Sequence, residues 1–203
     1  MLVFLEQSLL IYAPPKTGTT ALHRALAPHA DLVLRGPAKH ISTIRAEKKL
    51  LPLLSSLNAP MPQGFAIIRE PIDWLHSWYR YRTRPDVSED KSTATLSFDT
   101  FVNAYLEHDR PAFARIGQQS KFLSGGGTLS VRHLFAYDHM DHAVEFLNKR
   151  LGLTFGLEWV NASPEVKLDL SSENRNRLKH HFAADYALYQ NALNCSTSFE
   201  PPR

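Results

Sequence analysis

Apolar residues gather in short runs separated by mixed segments, and the pattern predicts strands alternating with helices. Leu9-Leu10-Ile11-Tyr12 is a strand-length run stopped by Pro14-Pro15. Gly64-Phe65-Ala66-Ile67-Ile68 is a second, ending in Arg69-Glu70-Pro71. Leu32-Val33-Leu34 and residues 131–137 read as further strands. Residues 1–12, apolar but broken by Glu6 and Gln7, feed into the first loop and read as a strand of the sheet, not as a signal or membrane anchor. Helical stretches follow the strands: residues 19–26, residues 72–81 behind a helix-opening Pro71, residues 143–153, and a last helix capped by Ser171 or Ser172 and carrying His180, His181 and Asp185. Such alternation predicts an α/β fold, a three-layer sandwich with a central, mostly parallel sheet, right-handed crossovers and a site at the strands' carboxyl ends. The polar stretch 82–97 predicts a mobile loop.

Composition narrows the picture. With 203 residues, 43% of them hydrophobic, the chain is expected to form one domain, 1–203, burying about 70% of its unfolded surface. The net charge of +3 is mildly basic, and no basic stripe interleaved with stacking aromatics points to nucleic acid as a partner. Cys195 is the only cysteine, so an intrachain disulfide and a thiolate zinc site are excluded and a reducing, cytoplasmic setting is expected. None of the ten histidines forms a second cluster at ligand spacing, so no metal site is expected.

The candidate chemistry lies in Pro15-Lys16-Thr17-Gly18-Thr19-Thr20, where a strand runs into a tight loop that opens a helix. The amides of Thr17, Gly18, Thr19 and Thr20 are orphan donors of the helix start, and the positive end of the dipole favours an anion. Lys16 adds a full charge, and Gly18 lets the backbone come close. The triphosphate-binding pattern Gly-x-x-x-x-Gly-Lys-Ser/Thr does not apply, because Lys16 precedes the only glycine and no magnesium-binding hydroxyl follows it in that register. At the end of the second long strand, Arg69 and Ser77, eight residues on, supply a guanidinium fork and a hydroxyl suited to one phosphate. For Arg69 alone the alternative is an ion pair with Glu70 or Asp73.

Residues 15–20 match at every position the 5′-phosphosulfate loop of sulfotransferases, Pro-Lys-Ser/Thr-Gly-Thr-Thr, and Arg69-x-Pro71 with Ser77 resembles that family's 3′-phosphate signature. Gln118-Gln119-Ser120-Lys121-Phe122-Leu123-Ser124-Gly125, the strand ending in Asp138, residues 143–153, Asn161-Ala162-Ser163-Pro164 and the tail to Tyr189 are similar to later elements of its carbohydrate-type and bacterial branches. No counterpart of the Arg-Lys-Gly segment of the cytosolic small-molecule enzymes is present, which leaves part of the nucleotide site unassigned. The resemblance implies 3′-phosphoadenosine 5′-phosphosulfate (PAPS) as sulfuryl donor and adenosine 3′,5′-bisphosphate (PAP) as product. It implies Lys16, Thr17, Gly18, Thr19, Thr20, Arg69 and Ser77 as nucleotide ligands, with Lys16 also catalytic. His40, placed where relatives carry the base, is the candidate for proton removal, with His23, His76 and Glu70 as competitors and Lys39 as a second cation. A hydroxyl or amine of a glycan or glycolipid is the acceptor class it favours. One of Trp74, Trp78, Tyr79 and Tyr81 is available to stack on adenine, the others lining core and groove. Arg80, Arg82 and Arg84 read equally as a solvated helix end or an anion site. Two other functions stay open: a P-loop kinase-like phosphotransferase, and a nucleotide-binding protein without catalysis.

Overall fold

The structure is a computed structural model that describes residues 1–125, 128–129, 131–157 and 169–194. In chain order the strands are β1 (Leu2–Phe4), β2 (Leu9–Ile11), β3 (Leu32–Val33), β4 (Gln63–Ile68), β5 (Ser124–Gly125), β6 (Thr128–Leu129) and β7 (His133–Ala136). The helices are α1 (Thr19–Leu26), α2 (Thr43–Ser56), α3 (Pro71–Arg82), α4 (Phe98–Leu106), α5 (Gln119–Leu123), α6 (Met140–Leu151), α7 (Ser172–His181) and α8 (Ala183–Asn194). Five strands form one sheet in the order β3-β1-β2-β4-β7, and β5 pairs with β6 in a small hairpin. β2, β4 and β7 run parallel, and β1 is antiparallel to both of its neighbours, so β3 points the same way as β2. The protein is thus α/β with a mixed, mostly parallel sheet.

Strict alternation along the strands explains why helices cover both faces. Val3, Leu10, Ala66, Ile68, Leu134 and Ala136 pack on one side with α2 and α8. Leu2, Phe4, Leu9, Ile11, Phe65, Ile67 and Phe135 pack on the other with α1 and α6. Strands buried on both faces read as continuous apolar runs, which is why β2 and β4 were so visible in the sequence. A third apolar cluster joins α3, α4 and α7 around Tyr105, Phe101 and Phe182.

Two expectations are corrected. Residues 1–12 are a hairpin of two strands and not one, because the chain reverses at Glu6 and Gln7 with Ser8 in the left-handed region (φ 47°). The last helix is two: α7, capped by the Ser171 hydroxyl, ends at Phe182, whose ring is fully buried against Trp74 and Tyr105. His180 and His181 therefore sit on α7 and Asp185 on α8. Within residues 82–97, buried Thr93 donates its hydroxyl to the Tyr79 carbonyl (2.8 Å) and its amide to the Arg82 carbonyl (3.1 Å). Residues 161–164 and Cys195 lie outside the described residues. No helix among the described residues is long and apolar enough to cross a membrane.

Candidate functional site

The connection leaving β2 runs to β3 on one side of the sheet, and the one leaving β4 runs to β7 on the other. A crevice therefore opens between the carboxyl ends of β2 and β4, the place where open α/β sheets bind ligands. Residues 12–18 fill the β2 side. Lys16 (φ 70°) and Gly18 (φ 74°) both adopt left-handed backbone, which a lysine enters only at a cost of about 1–2 kcal/mol. Buried Thr17 closes the loop by donating its hydroxyl to the Pro14 carbonyl (2.9 Å), leaving its amide as the group it can offer an anion. The amides of Thr17, Gly18, Thr19 and Thr20 have no backbone acceptor among the described residues, as expected at a helix start. Thr19 is buried and Thr20 exposed. Gly18 is fixed twice over, since a Cβ there would lie 2.9 Å from Met140 Cε and 3.1 Å from Tyr137 Cε2 in a backbone conformation that disfavours side chains.

The second motif meets the first directly. Arg69, just past β4, donates from Nη1 to the Lys16 carbonyl (3.3 Å), and its guanidinium lies 4.5 Å from the centre of the Tyr137 ring after β7. Its Nε is paired with Asp73 one helical turn on, so the ion pair expected for a lone arginine is also formed. The arginine side chain is only 13% exposed against 44% for the aspartate, so the pair is open on the Asp73 side. Glu70 caps α3 through the Asp73 amide (2.6 Å). Trp74 donates its indole N–H to the Pro15 carbonyl (2.9 Å), and Tyr81, seven residues on, lies under Lys16 Nζ at 4.4 Å. Ser77 falls between them on the same helical stripe and is buried. Arg84 also approaches the Tyr81 ring (5.2 Å). Partial burial, then Arg84, Arg69 and Arg80 in that order, pull the Lys16 ammonium down from 10.5 to about 8. Cations this crowded favour an anion among them.

The strand β3 brings a third group. After it, a 3-10 turn (Gly36–His40) places His40 so that Nδ1–H donates to the Ala13 carbonyl (2.7 Å) at the head of the loop. A carbonyl only accepts, so in the neutral ring the proton sits on Nδ1 and the Nε2 lone pair is left for a proton. Desolvation first, with Lys39 adding, holds His40 below its ordinary value against the opposing Ala13 bond. The competitors are differently placed. His76 is 4% exposed, 4.9 Å from the Phe98 ring, and burial lowers it to about 4. His23 lines a small pocket of about 10 Å³ shared with Tyr12, Ala13 and Thr19, room for roughly one water. Both Glu70 oxygens are engaged, one by the Asp73 amide and the other by the Tyr186 hydroxyl. Of the aromatics open to adenine, Trp74 and Tyr79 are buried, Tyr79 donating to the Leu96 carbonyl (2.7 Å). Arg82 is buried too and donates to the Ala112 carbonyl (2.9 Å), so it belongs to the scaffold.

Several groups at the site carry no local signal. Tyr137 is an ordinary aromatic after a strand, and Gln119, Asp185 and Tyr186 reach the site only through long-range folding. Among the described residues no three His, Cys, Asp or Glu side chains are grouped to hold a metal ion. Set against protein-family models, curated proteins and solved structures, the chain shows no match.

Proposed function

We propose that the protein is a PAPS-dependent sulfotransferase with a P-loop-like anion loop, acting in a reducing compartment such as the cytoplasm on a hydroxyl or amine of a glycan or glycolipid. One observation carries the reading: two motifs fifty residues apart, both similar to sulfotransferase signatures, meet where the Arg69 guanidinium reaches the Lys16 carbonyl. The donor set fits a multiply charged nucleotide, with helix-start amides, Lys16 and Arg69 on one wall and the Ser77 stripe of α3 on the other. When bound, PAPS supplies an activated sulfuryl group, so that an acceptor oxygen or nitrogen forms the new bond to sulfur while the bond to the bridging oxygen breaks and its electron pair stays on the leaving phosphate. Lys16 and the amides of residues 17–20 stabilise negative charge on that phosphate side. Arg69 and Ser77 hold the 3′-phosphate, and Tyr137 backs the guanidinium. His40 Nε2 takes the acceptor proton, its tautomer fixed by the Ala13 carbonyl.

Incubation with PAPS and a panel of glycans and glycolipids, read by mass spectrometry, tests the reading. Acceptors gaining the mass of one sulfuryl group with release of the bisphosphate are expected. Turnover of ATP with magnesium and no response to PAPS would instead make the protein a phosphotransferase.

A further inference from the structure

A polar chain runs from α8 to Arg69 through the interior. Asp185 is fully buried, and its Oδ1 accepts the amides of Gln119 (2.8 Å) and Ser120 (3.2 Å), while Oδ2 accepts the Ser120 hydroxyl (2.7 Å). A carboxylate thus caps the start of α5 from another helix. Gln119, 1% exposed, then spends its whole side-chain amide on one residue: Oε1 accepts the Arg69 amide (2.9 Å) and Nε2 donates to the Arg69 carbonyl (2.8 Å). The pair imitates one rung of a β-ladder just where β4 ends and no strand is left to hold the chain. The next residue of α8 reaches the same arginine from the other side. Tyr186 donates to one oxygen of Glu70, whose other oxygen accepts the amide of Asp73, and Asp73 pairs with Arg69 Nε.

We propose that Gln119, held by Asp185, and Tyr186, acting through Glu70 and Asp73, are positioning residues that fix the main chain and the guanidinium of Arg69 for its anion. The inference rests on the reading of Arg69 as a ligand of the 3′-phosphate. Buried and fully paired, the network sets a geometry that a flexible arginine at a strand end does not hold alone.

Calorimetry with adenosine 3′,5′-bisphosphate and adenosine 5′-phosphate on the wild type, three single variants and two double variants tests it. Arg69→Ala is expected to weaken the bisphosphate by one to two decades and leave the monophosphate unchanged. Gln119→Met is expected to weaken the bisphosphate about tenfold and Tyr186→Phe about threefold, again sparing the monophosphate, the range of coupling through an intermediate group. In an Arg69→Ala background both should lose their effect. A merely structural role would lower melting temperature and touch both ligands alike, which would overturn the inference. So would full bisphosphate affinity in both variants. If Gln119→Met does not fold, Tyr186→Phe, which removes one hydroxyl, decides alone. If Arg69→Ala itself binds the bisphosphate normally, the functional reading fails first.

Discussion

Two basic regions of this protein look alike in composition and differ in what their cations have left to do. Around the β2 loop stand Lys16, Arg69 and Arg84, and around the end of α4 stand Arg110, Arg115 and Lys121, beside an open cleft of about 850 Å³. Arg110 is occupied: it lies 4.1 Å from the Tyr105 ring, donates to the Ile116 carbonyl (2.8 Å) and contacts His181 Nε2 (3.4 Å), with Glu107 and Asp109 lining the same cleft. Arg115 donates to the Arg110 carbonyl (2.9 Å). Lys16, by contrast, shares an aromatic ring with Arg84, sits on strained backbone and has its proton affinity lowered by burial first and then by three arginines. Arg110 and Arg115, whose donors go to carbonyls, tie loops together, whereas the crowding of Lys16 by arginines favours an anion beside it, with Arg69 held in place by Asp73 and the Lys16 carbonyl.

The largest effect should come from neutralising the loop. Lys16→Ala is expected to lower turnover by about 10²–10³, the size of losing one transition-state donor, without lowering the melting temperature of the free protein, because it also relieves crowding among cations. Arg110→Ala should leave turnover per folded molecule unchanged. Equal losses in steady-state assays of the two variants would erase the contrast.

Next comes His40, expected to lower turnover about 100-fold as alanine. The pH profile carries the sign. A base must be unprotonated, so kcat/KM of the wild type rises as pH climbs through the lowered His40 value, below the ordinary 6.5, and that acidic limb should vanish in His40→Ala. Lys16 must be protonated, so kcat/KM falls again above about pH 8, a limb both proteins should share. An acidic limb retained by His40→Ala would assign the base elsewhere.

The smallest effect concerns the other region. Arg110→Leu is expected to cost about 1–2 kcal/mol of stability in denaturant titration, through one ring contact and one carbonyl left unpaired, with nucleotide affinity unchanged. Weakened nucleotide binding would make that cleft part of the site.

Legibility in the sequence divided along a physical line. β2, β4 and the helices that follow were readable because proline and apolar runs mark them locally, and the tight turn of residues 15–20 was readable because Pro14-Pro15 and Gly18 mark it within one turn of chain. The β1 hairpin was not, since Glu6-Gln7-Ser8 carries no glycine, proline or asparagine to announce a reversal, and the left-handed angle falls on Ser8. The break at Phe182 was hidden because burial of one ring, not a helix-breaking residue, makes it. Gln119 lies 50 residues from Arg69 and Asp185 66 from Gln119, and only the packed structure joins them into one chain of hydrogen bonds.

Titration calorimetry of the wild-type protein with adenosine 3′,5′-bisphosphate and, separately, ATP with magnesium bears most directly on the two-motif anion site. Saturable binding of the bisphosphate that is lost in Lys16→Ala and Arg69→Ala, with ATP weak and indifferent to magnesium, is predicted. Tight magnesium-dependent ATP binding, or a bisphosphate isotherm untouched by either substitution, would contradict the account.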